Sequence, residues 1–270
     1  MAETAAPHLV ASPIDRVKPN ARLIALLALG HGVIDLNQGA LPAVLPFLKA
    51  SHNLSYAAAA TIVLAANVTS SLIQPLFGYL ADQTARRWML PVAVLLTGAG
   101  FGLTGLAPGY GALLLLVIAM GLGVAAYHPE GYKTATGVAG DRKATALSWF
   151  SLGGNVGVAL GPPAITALVT ALGLGGTLGL LVPTLVVALL LLAVLPAFSE
   201  ASAPRAARTA AAHGVNMPGA MAVLILVVMI RSWTSLGFTT FVPFYYIDHL
   251  KADPRLVGPL LFVFLGAGAL

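Results

Sequence analysis

The chain has 270 residues, of which only 9% are charged while 58% are hydrophobic. A soluble protein carries about 25% charged residues, so this composition excludes an ordinary globular domain and indicates a protein that crosses a membrane several times. The net charge of +5 comes from basic residues in short loops without interleaved aromatic residues, and it does not indicate nucleic-acid binding. The chain has no cysteine, which excludes disulfides, thiolate metal sites and thiol catalysis.

Apolar runs separated by turn or charge signals predict eight membrane spans. A polar tail, residues 1–21, precedes them. The spans cover residues 22–48, 55–81, 88–107, 110–138, 144–172, 176–196 and 218–247, with an eighth from about 256 to the end. We interpret 22–196 as a six-helix bundle, 197–217 as a cytoplasmic linker and 218–270 as the start of a second bundle. The last span has about 15 residues, roughly 22 Å of helix against a hydrocarbon core of roughly 30 Å, so we expect it to be truncated.

The distribution of basic residues predicts that the N-terminus faces the cytoplasm. In that orientation the outer loops hold only three basic residues, which are Lys49, Lys251 and Arg255. The inner segments hold ten, which are Arg16, Lys18, Arg22, Arg86, Arg87, Lys133, Arg142, Lys143, Arg205 and Arg208. We therefore expect a multi-pass protein of the inner cell membrane.

The first span contains two ionisable side chains, His31 and Asp35, that lie one turn apart on the same helix face. An Asp at the centre of a membrane helix costs roughly 2.5–3.5 kcal/mol on the mildest insertion scale, so a functional role is favoured. Apolar surroundings favour the neutral form of a carboxylate, which allows it to bind and release a proton. We interpret Asp35 as the proton carrier and His31 as a residue that tunes or shares the proton, with a structural role as the alternative for each.

Spans one to three and four to six carry similar polar and proline positions. The corresponding groups are His31 and Asp35 against His128 and Glu130, and Asn67 with Pro75 against Asn155 with Pro162. Because spans one and four run in opposite directions, this is the pattern of an inverted repeat, in which binding groups lie near the midplane at the repeat interface. Chance similarity between Gly/Ala-rich spans is the alternative.

Further polar residues are candidates for the same site. Glu130 follows Pro129, whose kink frees backbone carbonyls, and we interpret it as a second acid or a gate residue with His128 as its partner. Arg231, in the core of the seventh span, suits an anionic substrate or a carboxylate such as Asp35. Four amides are predicted to line the substrate cavity, with interhelical hydrogen bonding as the alternative: Gln38, Asn67, Gln74 and Asn155.

The two histidines and two acids also have the chemistry of metal ligands. A metal site would need contacts between helices for which the sequence provides no support. No metal and no cofactor are therefore predicted.

The segment from Gly78 to Leu90, GYLADQTARRWML, closely resembles the loop 2–3 signature of the major facilitator superfamily. The resemblance implies a gate in which charge-assisted hydrogen bonds latch the helix ends and break when the bundles rock. The matching positions are Gly78, Asp82, Arg86 and Arg87. Gln83 and Ala85 depart from the pattern, in which Arg or Lys and Gly are usual, so one latch contact differs.

A second segment, Gly157 to Pro163, resembles the antiporter motif of the same superfamily. Gly161 and Pro162 would there form a small-residue bend that allows close helix contact, with ordinary packing of small residues as the alternative. In the fourth span Ile118 stands where another signature of the superfamily has Arg, so proton handling must use other residues.

Four motifs together resemble the fosmidomycin-resistance branch of the superfamily. They are His31 with Asp35 and Gln38, Ser70 to Pro75, His128-Pro129-Glu130 and Gly153-Gly154-Asn155. The resemblance runs through residues 25–165 and implies an all-α membrane protein with the major facilitator fold. Of its twelve helices, the N-terminal six-helix bundle would be complete here and the C-terminal bundle truncated in helix 8.

The predicted function is proton-coupled drug efflux, in which a small compound, with an anion among the candidates, is exported by alternating access. Its partners would be the substrate, protons and the lipid bilayer, with no nucleic acid, and the protein would be a monomer. One alternative is uptake of an organic anion with protons, and another is an inactive truncated remnant. A membrane-embedded enzyme is disfavoured because the sequence has no nucleophile such as Ser beside a base and no acid-rich diphosphate-binding run.

Overall fold

A computed structural model describes residues 18–84, 86–201 and 217–268. Arg16, Arg205, Arg208 and the tail before Lys18 lie outside these residues, as does most of the predicted linker 197–217.

The described part of the chain is helical and contains no strand. Its α-helices are α1 (Ala21–His52), α2 (Tyr56–Gln83), α3 (Met89–Gly102), α4 (Tyr110–Gly137), α5 (Lys143–Leu172), α6 (Leu181–Ala193), α7 (Leu195–Ala201), α8 (Pro218–Phe244) and α9 (Val257–Ala267). Short 3-10 turns cover Leu103–Leu106, Gly173–Leu180 and Pro254–Leu256, and a π-helical turn covers Tyr245–His249. Among the residues that the structure describes, six helical segments are long and apolar enough to cross a membrane, while the segment containing α9 is shorter.

Capping residues mark the ends of the first helices. The Asn20 side chain accepts a hydrogen bond from the Leu23 N–H at 3.2 Å and so caps α1. Asn53 adopts the left-handed conformation, with φ of 50°, which ends α1. Ser55 caps α2 through the Ala58 N–H at 3.1 Å. The predicted break at Gly173 to Gly176 is a 3-10 turn, and the first residues of the predicted linker belong to α7.

The helices pair in the manner of a two-fold repeat. α1 packs on α5, α2 packs on α4, and α3 packs on α6. Exchanging α1–α3 with α4–α6 converts the α1–α5 pair into the α4–α2 pair, so this arrangement agrees with the predicted inverted repeat. The α1–α5 contact is close because glycines face it: a Cβ atom at Gly157 would contact the backbone of Gly32.

The bundle has two ends, which we call the entry face and the far face. At the entry face the chain enters α1, where Asn20 N–H donates to Val138 O at the end of α4 over 3.0 Å. At the far face, the Tyr110 hydroxyl at the start of α4 donates to Ala58 O at the start of α2 over 3.2 Å. α8 is exposed over residues 218–234, and its buried residues, from Thr239 onward, lie near its far-face end.

A candidate proton site and an adjoining cavity

Three ionisable side chains meet between α1 and α4. His31 Nε2 lies 3.2 Å from Asp35 Oδ2 on the next turn of α1. His128 of α4 brings its Nε2 to 3.5 Å from Asp35 Oδ1 and 3.1 Å from His31 Nε2. His31 and Asp35 are only 5% and 8% exposed. We call these three residues the proton cluster.

Backbone carbonyls determine which nitrogen of each imidazole carries hydrogen. His31 Nδ1 donates to Phe150 O at 2.8 Å, and His128 Nδ1 donates to Val124 O at 2.8 Å. A carbonyl oxygen only accepts, so both Nδ1 atoms are protonated and both Nε2 atoms of the neutral rings would carry lone pairs. These two Nε2 atoms face each other, and a proton between them converts a repulsive contact into a hydrogen bond.

α5 forms the third wall of the proton cluster. The Phe150 ring stacks on the His31 ring with centroids 4.3 Å apart. At Gly154 an added Cβ atom would lie 2.6 Å from both Asp35 Oδ2 and His31 Nε2, so only glycine fits there. The motif containing Gly154 was recognised in the sequence, but the role of Phe150 was not, because its carbonyl leaves no mark in the side-chain pattern.

A cavity of about 400 Å³ adjoins the proton cluster and lies between the first bundle and α8. Gln38, three residues after Asp35, and Val124, four residues before His128, line its wall. Asn67 lies across the cavity on α2, and among the described residues that line it Arg231 is the single charged one. Of the predicted cavity residues, the structure therefore brings Gln38, Asn67 and Arg231 together.

Gln74 and Asn155 do not line this cavity. Gln74 is half-buried in α2, and Asn155 is exposed on α5. The hydroxyl groups of the lining come instead from Ser70 and Ser71 of α2 and from Ser232, Ser235 and Thr239 of α8. The sequence analysis placed Ser70 and Ser71 in a motif without assigning them to the cavity.

Glu130 stands apart from the proton cluster and from His128. It is fully buried, its nearest hydroxyl is that of Thr134 at 3.5 Å, and its other carboxylate oxygen has no partner among the described residues. The Arg86 backbone N–H and the guanidinium of Arg87 lie near it. Partial burial lowers the pKa of Arg87, and the Glu130 carboxylate opposes that shift. The acid thus faces the loop between α2 and α3.

The other predicted gate residues have different surroundings. Asp82 is exposed at the end of α2 and forms no ion pair with the described residues, whereas Gly78 is half-buried. Lys133 of α4 donates a hydrogen bond to Ala81 O, beside Asp82. Gly161 packs against the backbone of α1, and a Cβ atom at Gly258 of α9 would lie 3.0 Å from Pro162 O. This part of α5 therefore touches both α1 and α9.

The proton cluster also has atoms of the type that binds transition metals, and one such atom from each side chain lies within 4.8 Å of the others. Glu130, which completed the metal alternative in the sequence analysis, is not in this group. The proton interpretation stays a prediction.

The Major Facilitator Superfamily model matches residues 27–270 of the chain. The chain belongs to this superfamily. The resemblance stated from the sequence motifs is therefore confirmed, as is the all-α major facilitator fold of a multi-pass membrane protein.

Two curated relatives and one solved structure illustrate the match. The fosmidomycin resistance protein of Escherichia coli (strain K12) is 31% identical over 165 residues, which are 61% of this chain and 41% of that protein. The hexuronate transporter of the same strain is 26% identical over 144 residues, 53% of this chain and 33% of that protein. The chain thus matches less than half the length of either relative.

The solved structure is a bacterial homologue of the human lysosomal transporter Spinster, in an inward-facing and occupied conformation. It superimposes with a TM-score of 0.70 at 17% identity, covering 90% of this chain and 58% of that one. At 17% sequence identity, this structural similarity supports the fold alone.

Proposed function

We propose that the full-length protein is a proton-coupled exporter that exchanges a small compound for a proton by alternating access. This chain would supply the proton site and one wall of the substrate cavity. The observation that carries the proposal is the contact between His31 Nε2 and His128 Nε2 beside the Asp35 carboxylate. The fosmidomycin resistance protein among the relatives supports export.

The charge of the proton cluster depends on one proton. With a proton between the two Nε2 atoms the histidine pair is +1 and the Asp35 carboxylate is −1, so the cluster is neutral. Loss of the proton leaves an unbalanced negative charge at a site that is nearly inaccessible to water. A buried unpaired charge is strongly unfavourable, so the protonated and deprotonated proteins favour different conformations.

The position of the cluster couples this proton to the substrate. Gln38 and Val124 belong both to the cavity wall and to the turns that carry Asp35 and His128. A compound that fills the cavity therefore presses on the backbone that orients the cluster. We infer that substrate binding and proton binding favour opposite conformations, as exchange requires.

The entry face is the proposed cytoplasmic side, because the sequence places ten of its basic residues there and three on the other side. We assign Glu130 to a gate at this face together with Gly78, Asp82, Arg86 and Arg87. The proximity of Glu130 to Arg87 and the bond from Lys133 to Ala81 O support this assignment. Gly161 and Pro162 would allow α5 to bend during opening.

Transport by the full-length protein in proteoliposomes tests the proposal, with fosmidomycin as the first compound because a relative is named for resistance to it. A proton gradient is expected to drive its movement in the direction opposite to the protons. Asp35→Asn should abolish gradient-driven transport, whereas Asp253→Asn at an exposed helix start should leave it unchanged. Normal gradient-driven transport by Asp35→Asn would contradict the proposal.

Uptake of an organic anion with protons is the second candidate. It is favoured by Arg231 in the cavity and by the hexuronate transporter among the relatives. A proton gradient would then move a hexuronate in the same direction as the protons. The direction of flux relative to the gradient, measured with both compounds, separates the two candidates.

A further inference from the structure

A polar contact at the far face joins the first bundle to α8. The Asp248 carboxylate oxygen Oδ2 accepts a hydrogen bond from the Tyr56 hydroxyl at 2.7 Å and from Lys49 Nζ at 3.3 Å. Lys49 Nζ also lies 4.4 Å from the centre of the Tyr56 ring. These residues come from the end of α1, the start of α2 and the turn after α8.

The backbone around Asp248 is irregular and well bonded. Asp248 belongs to the π-helical turn Tyr245–His249, and such single turns are frequent at functional sites. Lys251, with a left-handed φ of 54°, donates a hydrogen bond from its Nζ to Asp248 O at 2.6 Å. The carboxylate is therefore presented by a locally braced turn.

Aromatic packing lies directly beneath this contact. Tyr56 meets Phe244 edge to face with ring centroids 5.4 Å apart, and Phe244 is only 3% exposed. Among the described residues, the side-chain hydrogen bonds and the ion pair that join α1–α7 to the segment Pro218–His249 all involve Asp248. Towards the entry face, α8 is exposed from Pro218 to Thr234.

We propose that Lys49, Tyr56 and Asp248 form a far-face gate that is closed in this conformation and must separate before the cavity opens to that face. This rests on the alternating access in the proposed function. The side chains of Lys49 and Asp248 are 23% and 37% exposed, so water can replace their contacts when the bundles move apart. An exposed ion pair contributes little, which suits a contact that breaks in every cycle.

The gate equilibrium can be measured without transport. The chain contains no cysteine, and Thr240, 4% exposed and one turn before Phe244, is a suitable reporter position when replaced by cysteine. Labelling of this reporter by a membrane-impermeant thiol reagent from the far side is expected to be slow in the parent protein. Lys49→Gln or Asp248→Asn should raise the rate about fivefold.

Matched controls separate the gate from general charge effects. Arg255→Gln removes a basic residue on the same side, outside the gate, and should leave the labelling rate unchanged. Exchanging the charges in the double variant Lys49→Asp with Asp248→Lys should restore slow labelling, whereas Asp248→Lys alone should give the fastest. Equal rates for Asp248→Asn and Arg255→Gln, or failure of the exchange to improve on Asp248→Lys, would overturn the proposal.

A cross-link supplies a second measurement. The double variant Lys49→Cys with Asp248→Cys should be bridged by a bifunctional methanethiosulfonate reagent, which should stop transport until reduction of the bridge restores it. Transport at the uncross-linked rate by the cross-linked protein would also overturn the gate. Because labelling needs neither a proton gradient nor a substrate, failure of the proposed exchange and failure of the gate give different results.

Discussion

The proton cluster and the far-face gate use similar groups, a carboxylate set against basic or hydroxyl side chains, in very different surroundings. In the cluster, His31 and Asp35 are 5% and 8% exposed and all three residues belong to the first bundle. In the gate, the Lys49 and Asp248 side chains are 23% and 37% exposed and belong to the end of α1 and to the turn after α8. Removing one partner from a buried pair leaves an uncompensated charge and is strongly destabilising. An exposed pair contributes less than about 1 kcal/mol to stability, so the loss of one partner has a small effect. Burial therefore suits one cluster to holding a proton and exposure suits the other to opening.

The same substitution in both clusters tests this contrast most strongly. Asp35→Asn should lower gradient-driven transport by about 100-fold or more, since it removes the group that balances the proton. Asp248→Asn should keep coupled transport within about fivefold of the parent protein, since it perturbs an exposed pair. Initial transport rates in proteoliposomes at a fixed proton gradient provide the comparison. Equal losses in the two variants would show that burial does not separate their roles.

Gly154→Ala is expected to disturb the proton cluster without removing any of its groups. The new methyl group would lie 2.6 Å from atoms of both Asp35 and His31, so these side chains must move. Displacement of reacting groups by about 1 Å lowers rates by about 100-fold, so we expect transport to fall by about tenfold to 100-fold. Gly175→Ala, with nothing within 4 Å of its added Cβ atom, is the control and should transport normally.

Arg231→Gln tests whether the cavity recognises an anion. A hydrogen bond to a charged group contributes about 1.5–3 kcal/mol to binding, so the KM for an anionic substrate should rise about tenfold or more. The KM for an uncharged compound should change little, and Arg255→Gln outside the cavity should alter neither value. An unchanged KM for the anion would remove Arg231 from the binding site.

Tyr56→Phe gives the smallest expected effect. It removes the hydroxyl that donates to Asp248 but keeps the ring beneath Lys49 and against Phe244. Loss of one exposed hydrogen bond should raise the labelling rate of the reporter at position 240 about twofold. A larger increase than that of Lys49→Gln would show that the hydroxyl, rather than the charge pair, keeps the gate closed.

Contacts within one helix were predictable from the sequence, and contacts between helices were mostly not. The helical period alone places His31 and Asp35 on one face, and apolar length together with turn signals predicted the helices. The meeting of His31 with His128 depends on the register of α1 against α4, which the helical period of either helix does not give. The sequence analysis accordingly assigned Glu130 as the partner of His128, whereas the structure places Glu130 against the loop before α3.

The far-face gate left even less trace in the sequence. Lys49 entered the analysis as a loop charge, and Asp248 was not selected because an acid at the end of a membrane span is ordinary. The π-helical turn that presents Asp248 has no period that a helical pattern would reveal. Gln74 and Asn155 illustrate the opposite case, since polar residues in the expected spans lie away from the cavity.

The most direct test of the central claim is the proton change on substrate binding to the purified full-length protein in weakly buffered detergent. A pH indicator should record release of a proton when the exported compound binds, and His128→Gln should release none, while His249→Gln at the exposed far face should behave as the parent protein. Uptake instead of release in the parent protein would favour the anion-uptake alternative. Undiminished release by His128→Gln would contradict the account, because the proton would then be held outside the cluster.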